Sequence, residues 1–164
     1  MALSSFADTR EAADFKICHD RVQLHTAKRI QFIDVSELVC ERVRRAGIYH
    51  GIVNVQTQHT TTGVVLNENE PQLLQDFEQR LEAWAPRELT YKHNDMHARR
   101  FQRIAPDERP NGDAHARALL LGASESLNVV AGRVEFGEWQ RLFLVELDGP
   151  RRRSLSIMAM GTLE

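Results

Sequence analysis

Three short segments hold most of the side chains in this chain that can do chemistry. HTTTGVVLNENE, residues 59–70, opens on the imidazole of His59, passes three threonine hydroxyls and closes on Asn67, Glu68, Asn69 and Glu70. YKHNDMH, residues 91–97, sets His93, Asn94, Asp95 and His97 close together. NGDAHARALLLG, residues 111–122, places Asp113 and His115 at the start of a helical pattern. Imidazoles and carboxylates from separated elements suit a divalent cation such as zinc or magnesium. His59, His97 and His115 are the candidate ligands, with Glu68 or Asp95 ligating or holding the second ring nitrogens. The spacings match no compact zinc signature such as HExxH, so a shared metal site competes with the reading of these histidines as surface groups. A histidine in the first turn of a helix tends to stay neutral, which leaves it available as a ligand or a base. His59, Glu68, Asp95 and His115 are accordingly the candidate catalytic residues.

A fourth region, SESLNVVAGRVEFGEWQRLFLVELDGPRRR over residues 124–153, adds a carboxylate and three cations. Glu146 falls inside an apolar strand, where a lone carboxylate is costly, so it needs an arginine or a polar pocket. Arg151, Arg152 and Arg153 are candidates for holding a phosphate or another anion. Nothing in the sequence chooses among them, and a run of three arginines also fits a solvated edge. No glycine-rich phosphate cradle accompanies them.

These residues must be positioned by a chain of 164 residues, 42% hydrophobic and 27% charged, with a net charge of −2. That length suits one domain with a real core. The charge gives no case for nucleic acid, and no apolar run is long enough to span a bilayer. The opening MALSSFADTREAADFK lacks the pattern of a secretory signal, so a cytoplasmic address is expected. Cys18 and Cys40 are too few for a disulfide framework and lack metal-ligand spacing.

Residues 1–17 show no clean period and read as a tail or irregular lead-in to a single domain over 18–164. Alternation predicts a strand over 21–27 and a second over 31–33, closing a hairpin. Asp34 or Ser36 then offers a cap for a helix whose Val35, Leu38, Val39 and Val43 recur at helical spacing up to Gly47. Strands follow at 48–58 and 63–67, with His59 on the apolar parity at the rim of the core side. A helix spans 71–84, capped by Asn69 or entered at Pro71. Residues 86–112 form the long loop, and Asn111 or Asp113 caps a short helix as far as Leu121. Strands at 126–131, 139–147 and 154–159 complete the order ββαββα-loop-α-βββ, with Trp139 a core or interface residue. The expected class is α+β: two packed, mostly antiparallel sheets of about seven strands, with helices outside.

Taken together and in order, HTTTGVVLNENE, the HNDMH element, NGDAHARALLLG, SESLNVVAGRVEFGEWQ and LDGPRRR resemble the small trimeric proteins called the secondary thiamine-phosphate synthase family, over residues 20–161. The resemblance implies a homotrimer with a polar pocket carrying the motif histidines, mapped onto His59, Glu68 and His115, and beyond them His93, Asn94, Asp95 and His97. It implies an enzyme that joins a pyrimidine pyrophosphate to a thiazole phosphate with divalent-metal help, even if only as a side activity. Two positions depart from the family pattern: Glu138, where threonine is usual, and Arg117, where many relatives carry a second histidine. The alternative is a non-enzymatic trimer that holds a metal or a metabolite. On either reading the partner is a small phosphorylated or anionic molecule, with neither nucleic acid nor membrane involved.

Overall fold

A computed structural model describes residues 14–102, 104 and 108–164 of the chain. Eight strands and three helices follow in order: β1 Phe15–His25, β2 Gln31–Asp34, α1 Ser36–Ala46, β3 His50–Thr57, β4 Thr62–Glu68, α2 Pro71–Trp84, α3 Gly112–Ala118, β5 Ser124–Val130, β6 Arg133–Val134, β7 Gln140–Glu146 and β8 Arg152–Thr162. Two antiparallel sheets result, ordered β1-β8-β3-β5-β6 and β2-β7-β4. This is the expected α+β class, with the two-residue β6 as the additional strand. Among the described residues no helix is long and apolar enough to cross a membrane.

The apolar run of β7 explains the layering. Leu142 and Leu144 join a core with Val53, Val55, Leu155 and Ile157 of the large sheet and Val39 and Val43 of α1. Phe143 and Val145 point the opposite way, into a second core with Leu81 of α2 and Ala114 of α3. A strand buried on both faces reads as a continuous hydrophobic run, which is what LFLV is. The small sheet is therefore the middle layer, between the large sheet with α1 and the pair α2 and α3. Gly63 in β4 permits the close seating of α3, because a Cβ there would lie 2.6 Å from Cβ of Leu121.

Helix ends follow their sequence signals with changed partners. Asp34 Oδ1 accepts from the backbone N–H of Ser36 at 2.9 Å, satisfying the start of α1. Gly47 ends that helix at φ 71°, a conformation that suits glycine. Glu70, not Asn69, caps α2, taking the N–H groups of Gln72 and Leu73, while Asn69 donates to Asp34 at 3.0 Å.

The expected first hairpin does not form. β1 pairs along its whole length with β8, and β2 pairs with β7, so the connection between them carries the chain from one sheet to the other. An eleven-residue ladder satisfies far more backbone groups than a four-residue hairpin could. It also lets Val22 and Leu24 pack on the main core. The expected lead-in is shorter than 17 residues, since β1 begins at Phe15; the portion over residues 1–13 lies outside the described residues.

Candidate functional site

The two sheets are joined by the connection from β7 to β8, and a buried ionic frame is built there. Glu146 ends β7 fully buried. Its Oε1 accepts from Arg153 Nη2 at 2.6 Å and from the N–H groups of Leu147 and Asp148 at 2.9 and 2.8 Å. Its Oε2 accepts from Arg153 Nε at 2.7 Å and Thr26 Oγ1 at 2.9 Å. Burial pushes this carboxyl up, but the Arg153 hydrogen bonds and charge, with those from Asp148 N–H and Thr26, hold it below the ordinary carboxylate value. The arginine that the sequence required for Glu146 is Arg153.

Asp148, also fully buried, anchors the neighbouring arginine in the same manner. Its Oδ2 accepts from Arg151 Nη2 and Nε at 2.8 and 3.0 Å and from Asn111 Nδ2 at 3.0 Å. Arg29 Nη1 lies 3.4 Å from Oδ1, and Arg29 Nη2 reaches both oxygens of Asp113 at 2.8 Å. The bend between Asp148 and Arg151 passes so close to Lys28 O, Glu146 and Thr26 that a Cβ on Gly149 would collide with them.

Above this frame lies a cleft of about 350 Å³, to which the segments flanking β4 and β8 bring Thr60, Thr61, Asp148, Arg151 and Arg153, and the 92–111 loop with α3 brings His93, Arg99, Glu108, Asn111 and His115. Arg151 and Arg153 each spend Nε and Nη2 on the frame and leave Nη1 outside these pairs. Arg153 Nη2 also donates to Thr61 Oγ1 at 2.9 Å, so the Thr61 hydroxyl keeps its own proton to give. The rings of His93 and His115 meet edge to face with centroids 4.5 Å apart. Burial pushes His115 below the ordinary imidazole value; His93 and Arg99 add to this, while Asp148 and Glu108 oppose it. A neutral His115 can accept a proton or a hydrogen bond. The loop is tied to α3 by Asn94, whose Oδ1 accepts from the N–H groups of Asn111 and Gly112 at 3.1 and 2.9 Å. Asn94 therefore does the capping expected of Asn111 or Asp113, and Asp113 is released to Arg29.

The candidate residues are distributed unequally about this cleft. His115, Arg151 and Arg153 line it, as does His93. His59 sits beside it with Nε2 accepting from Ser154 N–H at 3.0 Å, which uses the lone pair a metal would need. His97 is exposed on the loop, its Nε2 3.2 Å from Arg100 Nη1. Asp95 stands on the same loop, and its Oδ1 accepts from Ala98 N–H. Glu68 ends β4, whose first residue is next to the site, so the strand's rise puts it roughly 20 Å away. Arg152 points to the other face of β8 and donates to Gln23 at 3.2 Å. Among the described residues no three His, Cys, Asp or Glu side chains are grouped to hold a metal ion. The expected metal-binding trio of His59, His97 and His115 is thus corrected: its first member is engaged by the backbone and its second faces solvent.

Arg117 is not a vacated ligand position. Its guanidinium is wholly buried and donates from Nε to Leu81 O and Ala85 O at 3.2 and 3.1 Å, and from Nη2 to Ala85 O at 2.7 Å and to Glu82. It closes the C-terminal end of α2, where carbonyls lack partners and the dipole favours a cation. Trp139 is exposed rather than part of the core, and Glu138 beside it is exposed too. Sequence reasoning gave no role in the site to Arg29, Thr61, Arg99, Glu108, Asn111 or Asp148. The one available signal was strand alternation, which separates Arg151 and Arg153 from Arg152.

Comparison with known proteins decides the family. The model of the UPF0047 protein YjbQ-like family matches residues 20–162. The chain belongs to the UPF0047 family. A UPF0047 protein of Methanothermobacter thermautotrophicus is 38% identical over 138 residues, covering 84% of this chain and 88% of its own. YugU, the UPF0047 protein of Bacillus subtilis, is 32% identical over 85% of this chain and 97% of its own length. The crystal structure of a YbjQ-like protein from Sulfolobus solfataricus, described as of unknown function, superposes with a TM-score of 0.80 at 31% identity, over 90% of this chain and 99% of that one. None of these UPF0047 matches supports the secondary thiamine-phosphate synthase family. That assignment is corrected, and with it the metal-assisted transferase joining two phosphorylated heterocycles. The non-enzymatic alternative gains no support from these relatives either.

Proposed function

We propose that the cleft between the β7–β8 connection and the 92–111 loop takes a small phosphorylated or otherwise anionic metabolite, with His115 as the proton or hydrogen-bond acceptor beside it. One observation carries this reading. Arg151 and Arg153 are each pinned by a buried carboxylate along one edge, leaving Nη1 of each for a ligand, with the hydroxyls of Thr60 and Thr61 beside them. Guanidinium groups held this way meet an anion without losing side-chain freedom. The cleft is within the size range of small-molecule sites. Titration with inorganic phosphate, followed by calorimetry and thermal unfolding, tests it. Phosphate is expected to raise the melting temperature of the wild type but not of Arg151→Met, a substitution at a half-buried side chain. No heat and no shift at millimolar phosphate would reject the reading.

A second reading concerns assembly. The apolar strand from Leu142 to Leu147 is buried within the chain itself. One uncovered apolar surface is the outer face of the large sheet. Ile17, Met160 and Ile52 lie side by side across β1, β8 and β3, near the exposed Phe15 and Val130. A contiguous patch of this kind marks an interaction site, and a homotrimer associating through this face would cover it. Sedimentation of wild type and Ile52→Glu is the check: a trimer that the variant dissociates is expected, and a monomeric wild type at micromolar concentration overturns it.

A further inference from the structure

One side chain lining the cleft says what else the ligand must carry. Asn111 is 7% exposed, and its Oδ1 is buried with no hydrogen-bond partner among the described residues. The amide cannot be turned to cure this. Its Nδ2 lies 3.0 Å from Asp148 Oδ2, which also accepts from Arg151, so the nitrogen must face that carboxylate and the oxygen must face away. A buried acceptor without a donor is costly and uncommon. His115, held neutral in the same cleft, offers a further acceptor.

We propose that the ligand is a small anion bearing a hydrogen-bond-donating hydroxyl or amino group, the anion taken by Arg151, Arg153 and Thr61 and the donor by Asn111 Oδ1. This deepens the anion-site reading and rests on it. A hydroxylated phosphate monoester is the simplest member of the class. A ligand of the same shape and charge without the donor leaves Asn111 Oδ1 unpaired in the complex. Sites built to pair a ligand hydroxyl reject analogues that lack it far more strongly than sites that merely make room for one.

Three probes separate the possibilities by calorimetry on the intact wild-type chain: glycerol 3-phosphate, n-propyl phosphate, and glycerol 3-phosphate with both hydroxyls methylated. The first donates and accepts, the second does neither, and the third accepts only. Glycerol 3-phosphate is expected to bind about ten- to a hundredfold more tightly than the other two, the factor for one buried acceptor left unpaired. Asn111→Ala is expected to erase that preference, so that glycerol 3-phosphate and n-propyl phosphate bind it with the same affinity. Equal binding of the first two probes overturns the donor requirement and leaves the anion site standing. Equal binding of the first and third assigns the preference to an accepting hydroxyl and overturns the role of Asn111 Oδ1. If no probe binds the wild type, both this inference and the anion reading beneath it fail. The comparison of probes on the wild type decides the matter even if Asn111→Ala does not fold.

Discussion

Arg153 lies edge-on to Glu146, with Nε 2.7 Å from Oε2 and Nη2 2.6 Å from Oε1, and both residues are buried. One partner belongs to the small sheet and the other to the large one. Removing either leaves the other as an uncompensated buried charge, a loss of about 3–5 kcal/mol. Glu146→Ala and Arg153→Ala are each expected to fall in that range by urea denaturation. Losses well under about 1 kcal/mol would mean that water reaches the pair and screens it.

Acid should weaken the fold through two histidines. Burial depresses His59, with the charge of Arg153 adding and Glu146 opposing, and burial likewise depresses His115. The folded chain therefore binds these protons at lower pH than the unfolded chain does. Their contribution is full above the unfolded value, about 6.5, and is lost as pH falls from there toward the depressed folded values. The urea midpoint is expected to drop between about pH 7 and about pH 5, and less steeply in His59→Gln, which keeps an acceptor without titrating. Identical slopes in the two proteins would remove His59 from the account.

His59 and His115 should separate in mutants at neutral pH. His59→Ala orphans the Ser154 N–H and is expected to cost about 1–3 kcal/mol without ligand. His115 meets His93 edge to face and faces the cleft, so its ring holds no backbone group in place. His115→Ala is therefore expected to shift stability by only a few tenths of a kcal/mol while weakening glycerol 3-phosphate. His97→Ala should change neither. A melting temperature lowered in His115→Ala with and without ligand would make His115 structural.

Arg117→Met should loosen a helix end, not the cleft. The substitution keeps bulk but leaves Leu81 O and Ala85 O without their donor and takes one of two cations from the buried Asp113, for a loss of roughly 3–5 kcal/mol. Hydrogen exchange should quicken in the last turn of α2 and at the start of α3 while the β7–β8 region stays protected. Uniform acceleration across the chain would point to a general role for Arg117.

The elements are legible in the sequence where the period is clean. Leu73, Leu74, Phe77, Leu81 and Trp84 repeat at helical spacing, and the helix they predict over 71–84 is where α2 lies. Pairing is not legible: β1 and β2 are neighbours in sequence, yet their partners lie more than a hundred residues away, and local alternation carries no information about that. The site divides in the same way. His115 and the arginines around the start of β8 stand out by residue type. Asp148 reads as a turn residue and Asn111 as a cap, because a residue's role in an ionic frame depends on partners that only the fold supplies. His59 misleads for a related reason: its parity places it correctly at the core rim, where the backbone of Ser154 claims its lone pair.

The passage from β7 to β8 has one more consequence. β8 is laddered on both sides, to β1 and to β3, while β7 is held between β2 and β4. Arg151 and Arg153 thus ride on one slab, and the Glu146 that grips Arg153 rides on the other. A small sliding of the slabs would misalign guanidinium and carboxylate together, so the cleft works as a gauge of how the halves are seated. A molecule lodged there acts as a rivet across the seam, and its protection against hydrogen exchange should spread through both sheets rather than stop at the residues it touches.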